Sequence, residues 1–231
     1  MAGQAIFPNW QGQRRQSPFV NTATRLLLVR HGAVANSWSE RIYGRLDVPL
    51  SPAGEAEART IAAALAGERL EAVVSSGLPR AEFTAALLRE PRGLERRDDE
   101  RLLEIDRGTW AGRTKQEIAR TEPQLWAQSQ AMGGALNPPD AETVHQVCQR
   151  VRLGLDAAAN LACGEQVAVV AHMWVLRAAA ALVLGLEPSQ LARIQVPTGG
   201  LIVLDWVPGG PDPVGRSRVV GLCADSLPPA P

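Results

Sequence analysis

"LLLVRHGAVANSW", Leu26–Trp38, decides how the chain is read. Leu26–Val29 is a short continuous apolar run with no polar alternation, the pattern of a strand buried on both faces of a parallel sheet. A strand normally ends in turn residues. This one ends in a fixed cation, Arg30, and an imidazole, His31, followed at once by Gly32. Either this is an ordinary strand end or the strand delivers His31 to a site.

Working outward, two more buried runs have the same character: "LEAVVSS" from Leu70 and "QVAVVA" from Gln166. Helical segments separate them. "LSPAGEAEARTIAAALAG" has Ser51 to cap a helix, Pro52 for its first position and Gly67 for its end. "LPRAEFTAALLRE" starts near Pro79 and stops before Pro91, and "ETVHQVCQRVRLGLDAAANLA" places Val144, Val147, Val151, Leu155 and Ala158 at helical spacing. "RLLEI" reads as a brief strand. Thr114–Asp140 reads as an insertion of short helices over one end of the sheet. "LIVLDW" and "SRVVGL" read as late strands of a hairpin. Alternating strands and helices predict an α/β protein, a three-layer α/β/α sandwich with a mainly parallel mixed sheet. One domain spans 24–223, with an irregular extension at 1–23 and a tail at 224–231.

The 231 residues are 45% apolar and 21% charged, with a formal net charge of zero, so no basic face is offered to nucleic acid. Cys148, Cys163 and Cys223 are odd in number and far apart, which argues against a disulfide framework and fits a reducing cytoplasm. No signal peptide is read at the N-terminus. The apolar stretch Val167–Leu186 contains His172 and Arg177 and divides into a strand and a helix, so no membrane span is expected.

In a parallel sheet ligands gather beyond the carboxyl ends of the strands. Arg30 and His31 follow the first strand, Arg80 opens the helix after the second, Glu104 follows "RLL", and His172 follows "QVAVVA". Two arginines, two histidines and one carboxylate suit a phosphate dianion. Arginine binds phosphate oxygens bidentately and keeps its charge. A neutral imidazole can attack phosphorus. A carboxylic acid can protonate a leaving alkoxide. Asp106 and Glu100 compete for that role. His145 reads as a helix-surface residue, and Trp38, Trp126 and Trp174 as a frame for the site mouth. No P-loop lysine motif or HExxH is present.

These motifs resemble the histidine phosphatase superfamily, the phosphoglycerate mutase-like branch. Arg30-His31-Gly32 matches its RHG tripeptide. "YGRLDVPLSPAGEAEA" from Tyr43, "SSGLPRAEFTA" from Ser75, "LLEIDRGTWAG" from Leu102 and "AHMWVLRA" from Ala171 follow in the family's order. The resemblance implies a phosphoglycerate mutase-like fold and a metal-independent phosphoric monoester hydrolase without cofactor. It makes His31 the nucleophile and Glu104 the acid. Arg30, Arg80, His172 and the Met173 N–H would bind phosphate, and Asn36, Tyr43, Gly44 and Trp174 would line the substrate site. The chain departs from the pattern at Ala33 and Val34, where Glu-Thr or Glu-Ser is usual, at the register of Asn36, and at Met173-Trp174, where glycine is usual.

Three readings follow: a phosphomonoesterase acting on a small phosphorylated metabolite, a cofactor-dependent phosphoglycerate mutase, or a non-catalytic phospho-ligand binding module. The 141-residue interval from His31 to His172 is shorter than the mutases' and favours hydrolysis. "RIYGRLDVPLS" and "LLEIDRGTWAG" look most like the α-ribazole-phosphate phosphatases, which makes α-ribazole phosphate the ester suggested by resemblance. The expected partner is that metabolite, with no nucleic acid and no membrane, in a monomer or a homodimer.

Overall fold

A computed structural model describes residues 23–162, 165–209 and 217–223. The expected irregular extension, the tail and the turn between the late strands fall wholly or almost wholly outside them. The elements run β1 (Thr24–Arg30), α1 (Pro52–Ala64), β2 (Ala72–Ser75), α2 (Pro79–Arg89), β3 (Arg97–Asp98), α3 (Lys115–Thr121) and α4 (Pro123–Ala131). Then come α5 (Val144–Ala159), β4 (Gln166–Ala171), α6 (Met173–Leu184), β5 (Leu201–Trp206) and β6 (Arg218–Cys223).

The six strands form one sheet in the order β3-β2-β4-β1-β5-β6. The pairs β3/β2, β2/β4 and β4/β1 are parallel, whereas β5 runs antiparallel to both β1 and β6. The continuous apolar runs become the buried centre of this sheet, as expected of strands covered on both faces. Leu26 and Leu28 join the core under α5 and α6, while Leu27 and Val29 join the core under α1 and α2. This alternation defines the three layers. Val144, Val147, Val151, Leu155 and Ala158 all face the first of these cores.

Two local readings change. "RLLEI" is not a strand: Glu100–Leu102 is a single 3-10 turn, capped by the Asp99 side chain, which accepts from the Arg101 N–H at 2.9 Å. The strand lies earlier, at Arg97–Asp98, and Leu102 and Ile105 are buried from an irregular segment that turns Glu104 inward. The first helix ends at Ala64 rather than at Gly67. Thr143 caps α5 through a reciprocal box with Gln146.

Crossovers leave β1 and β4 in opposite directions along the sheet: α1 leads to β2 on one side, α6 to β5 on the other. Such a switch point opens a crevice at the carboxyl edge. Arg30 pairs with Ala171 there, and the His31 N–H donates to the Ala171 carbonyl at 3.1 Å. The register therefore carries His31 and His172 off adjacent strands at one level.

Candidate active site

The two imidazoles stand with ring centroids 5.0 Å apart at an interplanar angle of 60°. His31 is 1% exposed and His172 fully buried. His31 Nδ1 lies 2.7 Å from the Gly32 carbonyl. A carbonyl only accepts, so Nδ1 carries the proton and Nε2 keeps its lone pair. Burial, reinforced by the Arg80 and Arg30 charges, lowers the His31 pKa to about 3. The ring is thus a neutral base with a fixed tautomer. His172 is also held well below the usual imidazole range, first by burial and then by His31 and Arg80. Its Nε2 lies 2.7 Å from Ser76 Oγ, while Nδ1 is buried without a partner among the described residues. A hydroxyl that gives its proton to Nε2 places the ring's own proton on Nδ1.

Gly32 is required by close approach. A Cβ built there would stand 2.0 Å from the Gly54 carbonyl oxygen, and one on Gly54 would stand 1.9 Å from the Ala33 oxygen. The start of α1 thus lies backbone to backbone against the residue after His31. The contact is fixed by the Ser51 N–H donating to the Ala33 carbonyl at 2.9 Å and the Ala33 N–H donating to Glu57 Oε2 at 2.8 Å.

Arg80 sits at the second position of α2, where a cation opposes the helix dipole. It is 1% exposed, and its two terminal nitrogens donate to the Leu46 and Gly44 carbonyls, both at 2.6 Å. Gly44 adopts a left-handed φ of 47°, and Tyr43 lies under the guanidinium at 5.3 Å. Gly44 and Tyr43, expected to line the substrate site, thus hold Arg80 in place. Burial, then the Glu104 charge, raises the Tyr43 pKa. Arg30 donates through Nη1 to the Val196 carbonyl at 2.5 Å. The Nε atoms of Arg30 and Arg80 are both buried without a partner among the described residues.

Glu104 is buried. Its Oε1 accepts from its own neighbour's N–H, Ile105, at 2.9 Å and from the Trp174 N–H at 3.2 Å, which leaves Oε2 without a bond among the described residues. Its backbone carbonyl accepts from Arg45 and Arg150, which both pair with Glu142. Asp106 and Glu100, the competing carboxylates, are half-buried and exposed respectively, and Asp106 is occupied by the Gly108 N–H. Met173 opens α6, so its N–H has no helical carbonyl behind it.

Two expected site residues are placed otherwise. Asn36 is exposed, in a 3-10 turn of Asn36–Trp38 whose Asn36 carbonyl accepts from Ser39. Trp174 is not on a rim: the first turn of α6 faces the core, and the indole is buried beside Arg107 and Arg177. Trp126 is half-buried edge-on against Trp110, and Trp38 is half-buried. Sequence reasoning passed over Ser76, Arg107, Arg177 and Arg45 as site groups. One signal was available, since an arginine within "LRAAAALVL" must find polar partners to be buried. Among the described residues no group of three His, Cys, Asp or Glu side chains is arranged to hold a metal, and no helix is long and apolar enough to cross a membrane.

An α/β sandwich with two neutral histidines and two arginines at its switch point defines a phosphoryl-binding class. The model of the histidine phosphatase superfamily (branch 1) matches residues 26–217, and the chain belongs to that family. It is 32% identical over 207 residues to a bifunctional protein of Mycobacterium tuberculosis, covering 88% of this chain and 54% of the relative; the chain thus spans about half the length of the first curated relatives it matches. It is 30% identical over 168 residues to phosphoserine phosphatase 1 of Hydrogenobacter thermophilus, covering 72% of this chain and 79% of the relative. Among solved structures it resembles a mycobacterial glucosyl-3-phosphoglycerate phosphatase, with 27% identity, a TM-score of 0.75, and 88% and 100% of the two chains covered. A putative α-ribazole-5'-P phosphatase of Escherichia coli, 22% identical with a TM-score of 0.74 over 89% and 100% of the chains, bears on the fold alone.

Proposed function

We propose that this chain hydrolyses a small phosphomonoester through a phosphohistidine on His31. Nε2 attacks phosphorus and forms the N–P bond as the P–O bond to the alcohol breaks. Glu104 Oε2 gives its proton to the leaving oxygen. Water then attacks phosphorus, loses a proton to Glu104, and the N–P bond breaks to release phosphate and the free imidazole. The Nε atoms of Arg30 and Arg80 and the Nδ1 of His172, which have no partner among the described residues, and the Met173 N–H are the donors for the phosphoryl oxygens. The observation that carries this reading is the neutral His31 with its proton fixed on Nδ1 toward Gly32. The Gly32 carbonyl faces the positive charge that the phosphorylated ring acquires.

Relatives are named both as phosphatases and as phosphoglycerate mutases. Hydrolysis is favoured by the short interval between the histidines, and α-ribazole phosphate is one ester to be tested as substrate. The decisive experiment is acid-labile, alkali-stable labelling by radioactive substrate. Wild type should carry the label and release inorganic phosphate with little exchange between 3- and 2-phosphoglycerate; His31→Ala should carry none. Label persisting in His31→Ala would refute the assignment, and exchange without phosphate release would make the chain a mutase.

A further inference from the structure

Glu104 lies in an irregular segment: no strand or helix holds residues 103–107. Side chains brace this backbone instead. Arg150, from the middle of α5, donates through Nη1 to the Leu103 carbonyl at 2.6 Å and the Arg101 carbonyl at 2.7 Å. Its Nη2 donates to the Glu104 carbonyl at 3.3 Å, and Arg45 Nε donates to that same carbonyl at 3.1 Å. Glu142 ties the two cations together. It accepts from Arg150 Nε at 2.6 Å, from Arg150 Nη2 at 2.9 Å and from Arg45 Nη2 at 3.1 Å. It also grips Asp106 from both ends, accepting the Asp106 N–H on Oε2 at 3.2 Å and donating its own N–H to the Asp106 carbonyl at 3.2 Å. The Arg150 and Glu142 side chains are only 15% and 11% exposed, so this is a partly buried network of bonded charges rather than a surface pair.

One peptide plane links this network to the chemistry. The Glu104 carbonyl and the Ile105 N–H belong to the same planar trans unit and point in opposite directions. The two guanidinium groups hold the carbonyl, which fixes where the N–H points. That N–H holds Glu104 Oε1 at 2.9 Å, and the Trp174 N–H holds the same oxygen at 3.2 Å. With Oε1 engaged, Oε2 is the oxygen left to face the leaving group. Arg45 also lies between the two residues whose carbonyls receive the terminal nitrogens of Arg80, Gly44 and Leu46. One short loop therefore joins a phosphoryl donor to the backbone of the acid.

We propose that Arg150 and Arg45, braced by Glu142, are positioning residues that aim the Glu104 carboxyl at the leaving oxygen. This rests on the hydrolytic reading, in which Glu104 is the acid.

The test is kcat/KM on p-nitrophenyl phosphate and on glycerol 3-phosphate, or another alkyl phosphate that wild type turns over. Arg45→Met and Arg150→Lys are each made alone and together with Glu104→Gln. Methionine keeps the Arg45 stem without its donors, and lysine keeps the Arg150 charge without the planar fork. kcat/KM reads the steps up to departure of the alcohol, so the later attack of water does not enter. A misaimed acid should cost at least about tenfold on the alkyl ester and less than about twofold on p-nitrophenyl phosphate, whose phenolate leaves unaided. In the Glu104→Gln background there is no proton to aim, and the same substitutions should cost less than about twofold on either ester. No loss, equal losses on both esters, or a selective loss that persists beside Glu104→Gln would overturn the proposal. Should Arg150→Lys not fold, Arg45→Met decides, since Arg45 is half-buried and a single brace of the same carbonyl. Glu104→Gln alone separates the two readings. If it distinguishes the esters and the arginine variants do not, only the positioning role falls. If it does not distinguish them, or if wild type releases phosphate from no ester, the hydrolytic reading falls and the positioning role with it.

Discussion

Replacing Gly32 by alanine tests how the fold delivers His31. The new Cβ would meet the Gly54 oxygen at 2.0 Å, its carbonyl carbon at 2.6 Å and its Cα at 2.8 Å, against an ordinary contact of 3.4 Å or more. All three are backbone atoms, so no rotamer change relieves the overlap; β1 and the start of α1 must separate by about 1.4 Å. Overpacking of this kind costs roughly 1–3 kcal/mol, and more where backbone must move. For a domain of this size the melting temperature should fall by roughly 2–12 °C. The same shift moves the residue after the proposed nucleophile, and a misplacement near 1 Å costs on the order of 10²-fold in rate. The assay is a thermal melt with kcat/KM on p-nitrophenyl phosphate. Gly67→Ala is the control, because a Cβ there meets nothing within 4 Å; it should stay within about 0.5 kcal/mol of wild type. A Gly32→Ala protein that melts and turns over like Gly67→Ala would refute the argument that this glycine is a spacing requirement.

Glu104→Gln should lower turnover of alkyl phosphates by ~10²–10⁴-fold and that of p-nitrophenyl phosphate far less, since that phenolate leaves unaided; equal losses on both would move the acid elsewhere. His31 binds its proton with a pKa of about 3 when folded and near 6.5 when unfolded, so the unfolded chain takes up more protons as pH falls below 6.5. Its contribution to stability is therefore complete above that value and declines toward pH 3. Between pH 7.5 and 5 the loss should be about 2 kcal/mol, read as a melting-temperature difference between wild type and His31→Asn that shifts in the variant's favour. A difference independent of pH would show that the ring is not held neutral.

Much of the fold was legible because the strands are buried on both faces. Leu26–Val29, Ala72–Val74 and Val167–Ala171 carry no polar residue, and no other element type fits such short runs beside glycine, proline and helical periods. "RLLEI" misled because its buried residues answer to a turn. Leu102 and Ile105 are three apart and buried, as in a tight turn, and Glu104 between them is buried for its bonds to backbone N–H groups rather than by alternation. The histidines and Arg80 were legible from their place after strands. Trp174 was not, since its ring packs into the core and meets Arg107 from a segment 67 residues away. Nor was the work of Gly44, whose carbonyl reaches Arg80 across 36 residues.

The site's two demands pull against each other, and the backbone reconciles them. The imidazole proposed as nucleophile must be neutral, which burial and nearby cations secure. Yet the same burial penalises the arginines that make the cationic field, and burial lowers the pKa of Arg80, Arg107 and Arg177 alike. Carboxylate partners would relieve that penalty, but they would also neutralise the field and compete with the incoming phosphate. The structure uses carbonyl oxygens instead: Gly44 and Leu46 for Arg80, Val196 for Arg30, Gly134 for Arg107 and Ile194 for Arg177. Carbonyls satisfy and orient the guanidinium edges while leaving the net charge in place. The field thus stays open to an anionic substrate. In the proposed hydrolysis an anionic ester would complete the pairing, and the energy withheld from the empty protein would be recovered on binding.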